Sequence, residues 1–291
     1  MLPDDIARPL YRHGSAMKPA PSGDALNGKS AAFDSSTAAF GGAALIGSLG
    51  GLIGLGGAEF RLPLLIGVFQ FAALEAVILN KAMSLVVVAT ALPFRAFTVS
   101  WGEIAAHWSV IANLLAGSLL GAWFGAGWAI RLRSATLYRV IAVMLAAVAV
   151  VLTLGHNVTA GVPSFAGMTQ ALMGVTAGFV IGIVAALLGV AGGELLIPTL
   201  ILLFGADIKL AGSLSLAVSL PTMIVGFARY SRDQSFSVLR LNRIFVVVMA
   251  AGSIVGTFIG GQLLGIVPNI ILIPLLVVIL LASAVKVWRH S

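Results

Sequence analysis

The sequence has no cysteine and very little charge: only 9% of its 291 residues are Asp, Glu, Lys or Arg. The missing cysteines exclude disulfide bonds, thiolate metal sites and a cysteine nucleophile. Because a soluble domain is about a quarter charged, this chain lacks the charged residues that would cover a water-facing surface. The composition therefore excludes an ordinary soluble enzyme and most nucleic-acid-binding proteins.

Apolar residues are present in excess, at 59% of the chain, and the mean hydropathy is +1.08. This composition is typical of an integral membrane protein whose helices lie against lipid. The net charge of +7 would suit a polyanion partner, but the basic residues cluster between apolar segments. We interpret them as topology signals, so the expected surrounding is the lipid bilayer and no nucleic-acid partner is expected.

Residues 1–36 differ from the rest of the chain. They contain four basic residues, four acidic residues and four prolines, without a helical apolar period. Such a segment buries too little apolar surface to offset its ordering entropy, so the sequence predicts a disordered cytoplasmic tail. The apolar stretch of about 7–15 residues that a cleaved signal peptide requires is missing.

The remainder of the chain contains ten apolar segments, eight of full spanning length and two short ones. A spanning helix needs about 20 mostly apolar residues, and segments 60–73 and 194–205 are shorter than that. In chain order the ten segments are 38–55, 60–73, 78–100, 108–130, 135–154, 168–189, 194–205, 210–229, 243–264 and 268–287. The sequence predicts an all-α polytopic membrane protein.

The placement of Lys and Arg indicates that the two short segments also cross the membrane. Cytoplasmic loops carry an excess of Lys and Arg. If all ten segments cross, the basic loop 131–139 lies on the same side as the basic loop 229–243 and both chain ends. If the short segments dip and return, the two loops lie on opposite sides and the rule is violated. We therefore expect ten crossings with both termini in the cytoplasm.

A duplicated motif relates the two halves of the apolar region. Five residues recur 135 positions later: Gly54, Gly57, Glu59, Pro63 and Leu65 correspond to Gly189, Gly192, Glu194, Pro198 and Leu200. The same offset aligns the glycine-rich stretches 116–125 and 251–260. Each half has five segments, an odd number, so the second half enters the membrane inverted. The basic residues fit this inversion, because loops 131–139 and 229–243 carry Arg while their counterparts 265–269 and 101–107 carry no Lys or Arg. We predict two inverted repeats, residues 37–155 and 167–288.

The duplicated motif predicts a helix break followed by a new helix start. Glycine lets the backbone leave helical geometry, and proline is tolerated near a helix start. Helix starts bind anions through their N–H groups, and inverted-repeat transporters hold substrate on interrupted helices near the midplane. Candidate substrate-binding residues in the two motifs are Gly56, Gly57, Glu59, Arg61, Gly192, Gly193 and Glu194. Arg61 corresponds to Leu196, so any role of Arg61 is asymmetric.

Glu59 and Glu194 are two of only four glutamates in the chain. A carboxylate in a membrane segment suggests a proton or ion role, and a glutamate that protonates during the cycle would couple an anion to H⁺. In the alternative interpretation, each glutamate accepts hydrogen bonds from the broken backbone or caps the helix start. Both interpretations stay open, because a structural cap would be duplicated too.

Further candidates lie in the third segment, Ser84 and Arg95, and in the matching eighth segment, Ser213 and Ser215. Matching these two segments requires a local shift of about four residues. The hydroxyls would line an anion path, although serine more commonly bonds a carbonyl of its own helix. The glycine stripes are spaced for close helix packing. Dispersed histidines and the lack of a G-x-x-x-x-G-K-[ST] motif leave no catalytic, metal or cofactor site to expect.

The doubled G-x-x-G-x-E-x-x-x-P-x-L motif, followed by an apolar stretch and a Ser-containing helix, resembles the sulfite exporter TauE/SafE family of membrane permeases over roughly residues 38–288. This resemblance implies a bacterial inner-membrane permease with duplicated halves that moves sulfite or other sulfur-containing or organic anions. It also implies pathway roles for the motif positions Gly57, Glu59, Pro63, Gly192, Glu194 and Pro198.

We therefore expect a secondary transporter rather than an enzyme. It would work by alternating access around a small anion, such as sulfite or a sulfonate, with Glu59 and Glu194 as proton carriers. One alternative is a cation or metal-ion permease in which the two carboxylates bind the ion. The other is a membrane scaffold subunit without transport. A homo-oligomer is compatible with the sequence.

Overall fold

The structure, a computed structural model, describes residues 37–49, 57–95, 99–155, 166–263 and 269–289. Within these ranges the chain forms helices and no strand. The predicted disordered tail, residues 1–36, and the candidate Gly56 lie outside the described residues.

Helices follow one another with short connections. In chain order they are α1 (Thr37–Leu49), α2 (Ala58–Gly67), α3 (Ala73–Arg95), α4 (Trp101–Ala106), α5 (Trp108–Arg131), α6 (Ser134–Gly155), α7 (Gly167–Leu188), α8 (Gly193–Phe204), α9 (Ile208–Tyr230), α10 (Ser237–Leu241), α11 (Arg243–Leu263) and α12 (Asn269–Trp288). A 3-10 turn, Gln234–Phe236, precedes α10. Each apolar segment predicted from the sequence overlaps one of these helices, and α4 and α10 are short additions.

Among the described residues, six helices are long and apolar enough to cross a membrane: α3, α5, α6, α7, α9 and α11. Shorter apolar helices are α1, α8 and the part of α12 over Val277–Trp288. The spans of α3 and α9 are 67% and 61% buried, compared with 33% for α6 and for α11. α3 and α9 therefore form the interior, and α6 and α11 belong to the periphery.

The helix boundaries repeat along the chain. The first residues of α2 and α8, of α3 and α9, of α5 and α11, and of α6 and α12 are each 135 positions apart. α3 and α9 also end 135 positions apart. The shift of four residues expected between these two helices is therefore not needed, and Ser84 corresponds directly to Ser219.

Glycines at matching positions hold helices of the two halves together. A Cβ atom on Gly121 of α5 would collide with the carbonyl oxygen of Phe179 in α7. A Cβ atom on Gly256 of α11 would collide with the carbonyl oxygen of Ala44 in α1. Because only glycine lets the backbones approach this closely, the glycine stripes serve helix packing, as their spacing predicts.

Many large apolar side chains are exposed, whereas four charged side chains of the described residues are buried: Glu59, Arg61, Lys81 and Glu194. Large apolar side chains such as Phe124, Val247 and Leu281 are exposed, while Arg61 and Lys81 are fully buried. An apolar exterior matches a lipid environment, where buried ionisable groups mark the functional interior.

Candidate functional site

Two short helices begin at glycines in the left-handed conformation. Gly57, with φ 69°, precedes α2, and Gly192, with φ 80°, precedes α8. Residues with a side chain rarely adopt such φ values, so the chain needs glycine where it turns into each new helix. The helix start predicted from each motif is confirmed.

The motif prolines lie deeper in these helices than the sequence suggested. Pro63 and Pro198 occupy the sixth position of α2 and α8, not the first turn. Proline has no N–H, so the carbonyls of Glu59 and Glu194 cannot accept the usual helix hydrogen bond from these positions. Each proline therefore frees a backbone acceptor at the residue whose side chain is the candidate proton carrier.

The side chains of Glu59 and Glu194 meet in the interior. They are only 3% and 5% exposed, and they hydrogen-bond to each other. A hydrogen bond between two carboxyl groups requires a proton on one of them, because an ionised carboxylate only accepts. The contact brings together the first turns of α2 and α8, one from each half of the chain.

Arg61 is fully buried next to this pair. Its Nε donates to the Asn80 side-chain oxygen at 2.8 Å, and its two terminal nitrogens donate to Ser253 Oγ at 2.8 Å and to Ser84 Oγ at 2.6 Å. The guanidinium also interacts electrostatically with Glu59. A buried cation is tolerated when its donors and its charge are matched. We call Arg61, Asn80, Ser84 and Ser253 the Arg61 cluster.

Asn80 connects the Arg61 cluster to the break between α7 and α8. Its side-chain amide donates to the carbonyls of Ala58 and Leu188, both at 3.0 Å. The next residue, Lys81, is fully buried and donates to the carbonyl of Ala185 at 3.0 Å. This ammonium group lies at the C-terminal end of α7, where the helix dipole favours a cation.

Two side chains of α9 partner further carbonyls at this break. Ser219 Oγ donates to the carbonyl of Ala191 at 2.8 Å, and the Tyr230 hydroxyl donates to the carbonyl of Ala186 at 2.9 Å. Backbone polar groups that leave a helix inside a membrane need protein partners. The interrupted helix is therefore supported by α3 and α9, the two most buried spans.

The structure brings together most of the candidate residues. Gly57, Glu59, Gly192, Gly193 and Glu194 form the two facing helix starts, and Arg61 and Ser84 lie in the adjoining cluster. Ser213 and Ser215 instead donate to carbonyls of their own helix, at 3.3 Å and 2.9 Å. Arg95 is the last residue of α3, and its side chain lies outside the described part of the chain.

Asn80, Lys81 and Ser253 also belong to this site. Asn80 and Lys81 are polar residues of the third predicted segment to which no binding role was assigned from the sequence. Asn80 and Lys81 carried a usable signal, since polar residues inside a predicted span are typical of functional positions. Ser253 sits in a glycine stripe assigned to packing, and its link to Arg61 spans 192 positions of the chain.

The helices are long enough to span a membrane and have an apolar exterior. A buried charged site lies where two helix starts face each other. These two features define the protein as a polytopic membrane transport protein. The family model for the sulfite exporter TauE/SafE matches residues 38–287, and the chain belongs to that family, as its motif predicted. This is a family of membrane transporters for sulfite and related sulfur-containing anions, and the chain is a multi-pass membrane protein. No curated protein and no solved structure matches the chain.

Proposed function

We propose that this protein is a secondary transporter that moves sulfite, or another small sulfur-containing or organic anion, across the bacterial cytoplasmic membrane together with protons. The observation that carries the proposal is the hydrogen bond between Glu59 and Glu194 at the starts of α2 and α8. Substrate sites of inverted-repeat transporters lie on interrupted helices between the repeats, and this contact joins one such helix from each half.

The charge of the site favours an anion over a cation. Two carboxyl groups that share one proton carry a single negative charge, which the guanidinium of Arg61 balances. Lys81, when protonated, adds a second positive charge, and the N–H groups of two helix starts add partial positive charge. Among the described residues, no group of three or more His, Cys, Asp or Glu could hold a metal ion.

The glutamate pair supplies a route to proton coupling. An anion bound beside the pair disfavours negative charge on the carboxyl groups, because like charges at close range repel. Anion binding therefore promotes uptake of a second proton, and anion release promotes its loss.

The two halves, residues 37–155 and 167–288, act in this proposal as inverted repeats with both termini in the cytoplasm. The helix boundaries at a constant offset of 135 support a repeat. The matching glycine contacts, α5 on α7 and α11 on α1, support a symmetric pairing of the halves. Inversion itself is favoured by the placement of basic residues: loops 131–139 and 229–243 carry Arg, while their counterparts 265–269 and 101–107 carry no Lys or Arg.

Flux through reconstituted liposomes tests the transport and coupling steps. We expect an imposed pH gradient to accelerate sulfite flux through the wild-type protein. The double variant Glu59→Gln, Glu194→Gln should lose this acceleration, since its amides cannot carry a proton. Glu103→Gln is the matched control, because Glu103 is an exposed glutamate far from the pair in sequence. Gradient-driven flux that survives in the double variant would remove the coupling, and flux of Na⁺ or divalent cations without anion flux would favour the cation permease.

Thiol labelling tests the inverted topology, and the cysteine-free chain gives no background. Single cysteines would replace Gly102, Arg133 and Gln234, all three of which are exposed. We expect positions 133 and 234 to react from the cytoplasmic side and position 102 to react from the opposite side. Labelling of positions 102 and 234 from the same side would rule out inversion.

A further inference from the structure

A cleft of about 290 Å³ opens between the C-terminal parts of α5 and α9, away from the glutamate pair. Its lining consists of Trp123, Phe124, Gly127, Trp128, Arg131 and Arg229. Arg131 ends α5, and Arg229 lies in the last turn of α9. By the placement of Lys and Arg, this end of both helices is the cytoplasmic border of the membrane.

The arginines at this cleft are oriented by aromatic stacking. The guanidinium carbons of Arg229 and Arg232 lie 5.2 Å and 5.1 Å from the centroid of the same Trp123 ring. Stacking on an indole holds a guanidinium in place while leaving its edge free to donate hydrogen bonds. Two cations on one ring concentrate positive charge at the mouth of the cleft.

One donor at the cleft has no acceptor. Arg229 Nε is buried without a hydrogen-bond partner, and an unsatisfied buried donor on a charged group is costly. Within the described part of the chain, no carboxylate forms an ion pair with Arg131, Arg229 or Arg232. The cleft therefore contains guanidinium donors that can bind an anion which the described residues do not supply.

The surroundings of the cleft match a lipid rather than a soluble anion. Trp128 is 49% exposed, at the depth where interfacial tryptophans meet headgroups. Leu120 and Phe124, one helical turn apart on α5, are 57% and 62% exposed. Residues four positions apart share one helix face, so these side chains form an apolar strip that leads from the cleft toward the bilayer centre.

We propose that this cleft binds the phosphate headgroup of an anionic phospholipid from the cytoplasmic leaflet. Arg131, Arg229 and Arg232 donate to the phosphate oxygens, for which the planar guanidinium fork is well suited. One acyl chain lies along Leu120 and Phe124. The bound lipid bridges α5 and α9 and thereby stabilises α9. The Tyr230 hydroxyl of α9 donates to the carbonyl of Ala186 near the break after α7.

The test is a lipid titration of the purified full-length protein in neutral detergent, followed by thermal unfolding and native mass spectrometry. Phosphatidylglycerol should raise the melting temperature and stay bound, whereas phosphatidylcholine should do neither. Arg229→Gln and Arg131→Gln should each weaken the apparent affinity about tenfold, the loss expected when one hydrogen bond to a charged group is removed. Arg133→Gln removes the same charge from the same loop without lining the cleft, and it should bind like the wild type.

Three results would overturn the proposal. An equal loss in Arg133→Gln and Arg131→Gln would mean diffuse surface attraction without a built site. Equal stabilisation by phosphatidylcholine would remove the headgroup assignment. Saturation by inorganic phosphate or glycerol phosphate at the same concentration would assign the cleft to a soluble anion. Because Arg131 is exposed, Arg131→Gln should fold normally, and it provides the test if Arg229→Gln does not fold. None of these measurements depends on sulfite flux.

Discussion

The two halves of the chain place different chemistry on matching helices. Arg61 of α2 and Leu196 of α8 are equivalent positions, and their side chains are 0% and 1% exposed. Arg61 bonds three polar side chains of α3 and α11. Around Leu196 the equivalent serines bond elsewhere, Ser118 to Thr222 at 2.7 Å and Ser219 to a backbone carbonyl at 2.8 Å.

The helix boundaries of the two halves repeat at a constant offset of 135 positions, but the electrostatics at this pair of positions differs. A permanent charge in one half makes the two states of an alternating-access cycle unequal in energy. Arg61 interacts electrostatically with Glu59 of its own helix. We propose that Glu194, on α8, is the carboxyl group whose protonation changes during transport.

The largest expected effect comes from making the first half like the second with Arg61→Leu. The change leaves Asn80, Ser84 and Ser253 without their partner and removes the charge facing Glu59. Breaking a buried charged network by removing one member costs about 3–5 kcal/mol. We expect a large drop in the thermal unfolding temperature in detergent, and poor recovery of folded protein.

Leu196→Met is the matched control for this change at the equivalent position of α8. A volume-conserving apolar substitution costs less than about 1.5 kcal/mol. If Arg61→Leu and Leu196→Met unfolded at the same temperature, the buried guanidinium would not stabilise the first half. The difference between Arg61 and Leu196 would then not affect the stability of the fold.

An intermediate effect is expected at the glycines that pair the halves, and here the halves should respond alike. Gly121→Ala and Gly256→Ala each place a methyl group against a backbone carbonyl of the partner helix. Overpacking of this kind costs about 1–3 kcal/mol, and the two losses of unfolding free energy should be similar. A Cβ atom on Gly41 would meet no other atom within 4 Å, so Gly41→Ala should be neutral or slightly stabilising. A large loss at only one of the paired glycines would contradict symmetric packing.

The sequence predicted the helices well, because a spanning segment is set by local apolar length. The errors lie at boundaries: α3 begins at Ala73, five residues before the predicted segment. Glu75 in the first turn of α3 interrupts the apolar stretch, so the apolar pattern begins only after the helix has started. The left-handed glycines were also predictable, since Gly57 and Gly192 precede a duplicated Glu and Pro pattern in a region otherwise rich in helix formers.

The candidate site was predictable only where an unusual residue type stands in an apolar segment. Glu59, Arg61 and Glu194 meet that condition, and they lie together in the fold. The partners of Arg61 could not be assigned, because Ser253 reaches it from a helix 192 positions away. Ser213 and Ser215 show the converse limit, since the sequence does not reveal which face of α9 meets a polar neighbour.

The smallest expected effect compares Ser84→Ala with Ser219→Ala, two equivalent and buried serines. Ser84 Oγ accepts from the Arg61 guanidinium at 2.6 Å, whereas Ser219 Oγ donates to a neutral carbonyl at 2.8 Å. Hydrogen bonds to charged groups contribute about 1.5–3 kcal/mol and neutral ones about 0.5–1.5 kcal/mol. The loss of unfolding free energy should therefore be greater for Ser84→Ala, as measured by denaturant unfolding in mixed micelles. Both variants delete one hydroxyl at matching positions, so the comparison weighs the bond to the buried charge of Arg61 against the bond that supports the helix break. An equal or larger loss for Ser219→Ala would mean that support of the helix break, rather than the buried charge, dominates the stability of the interior.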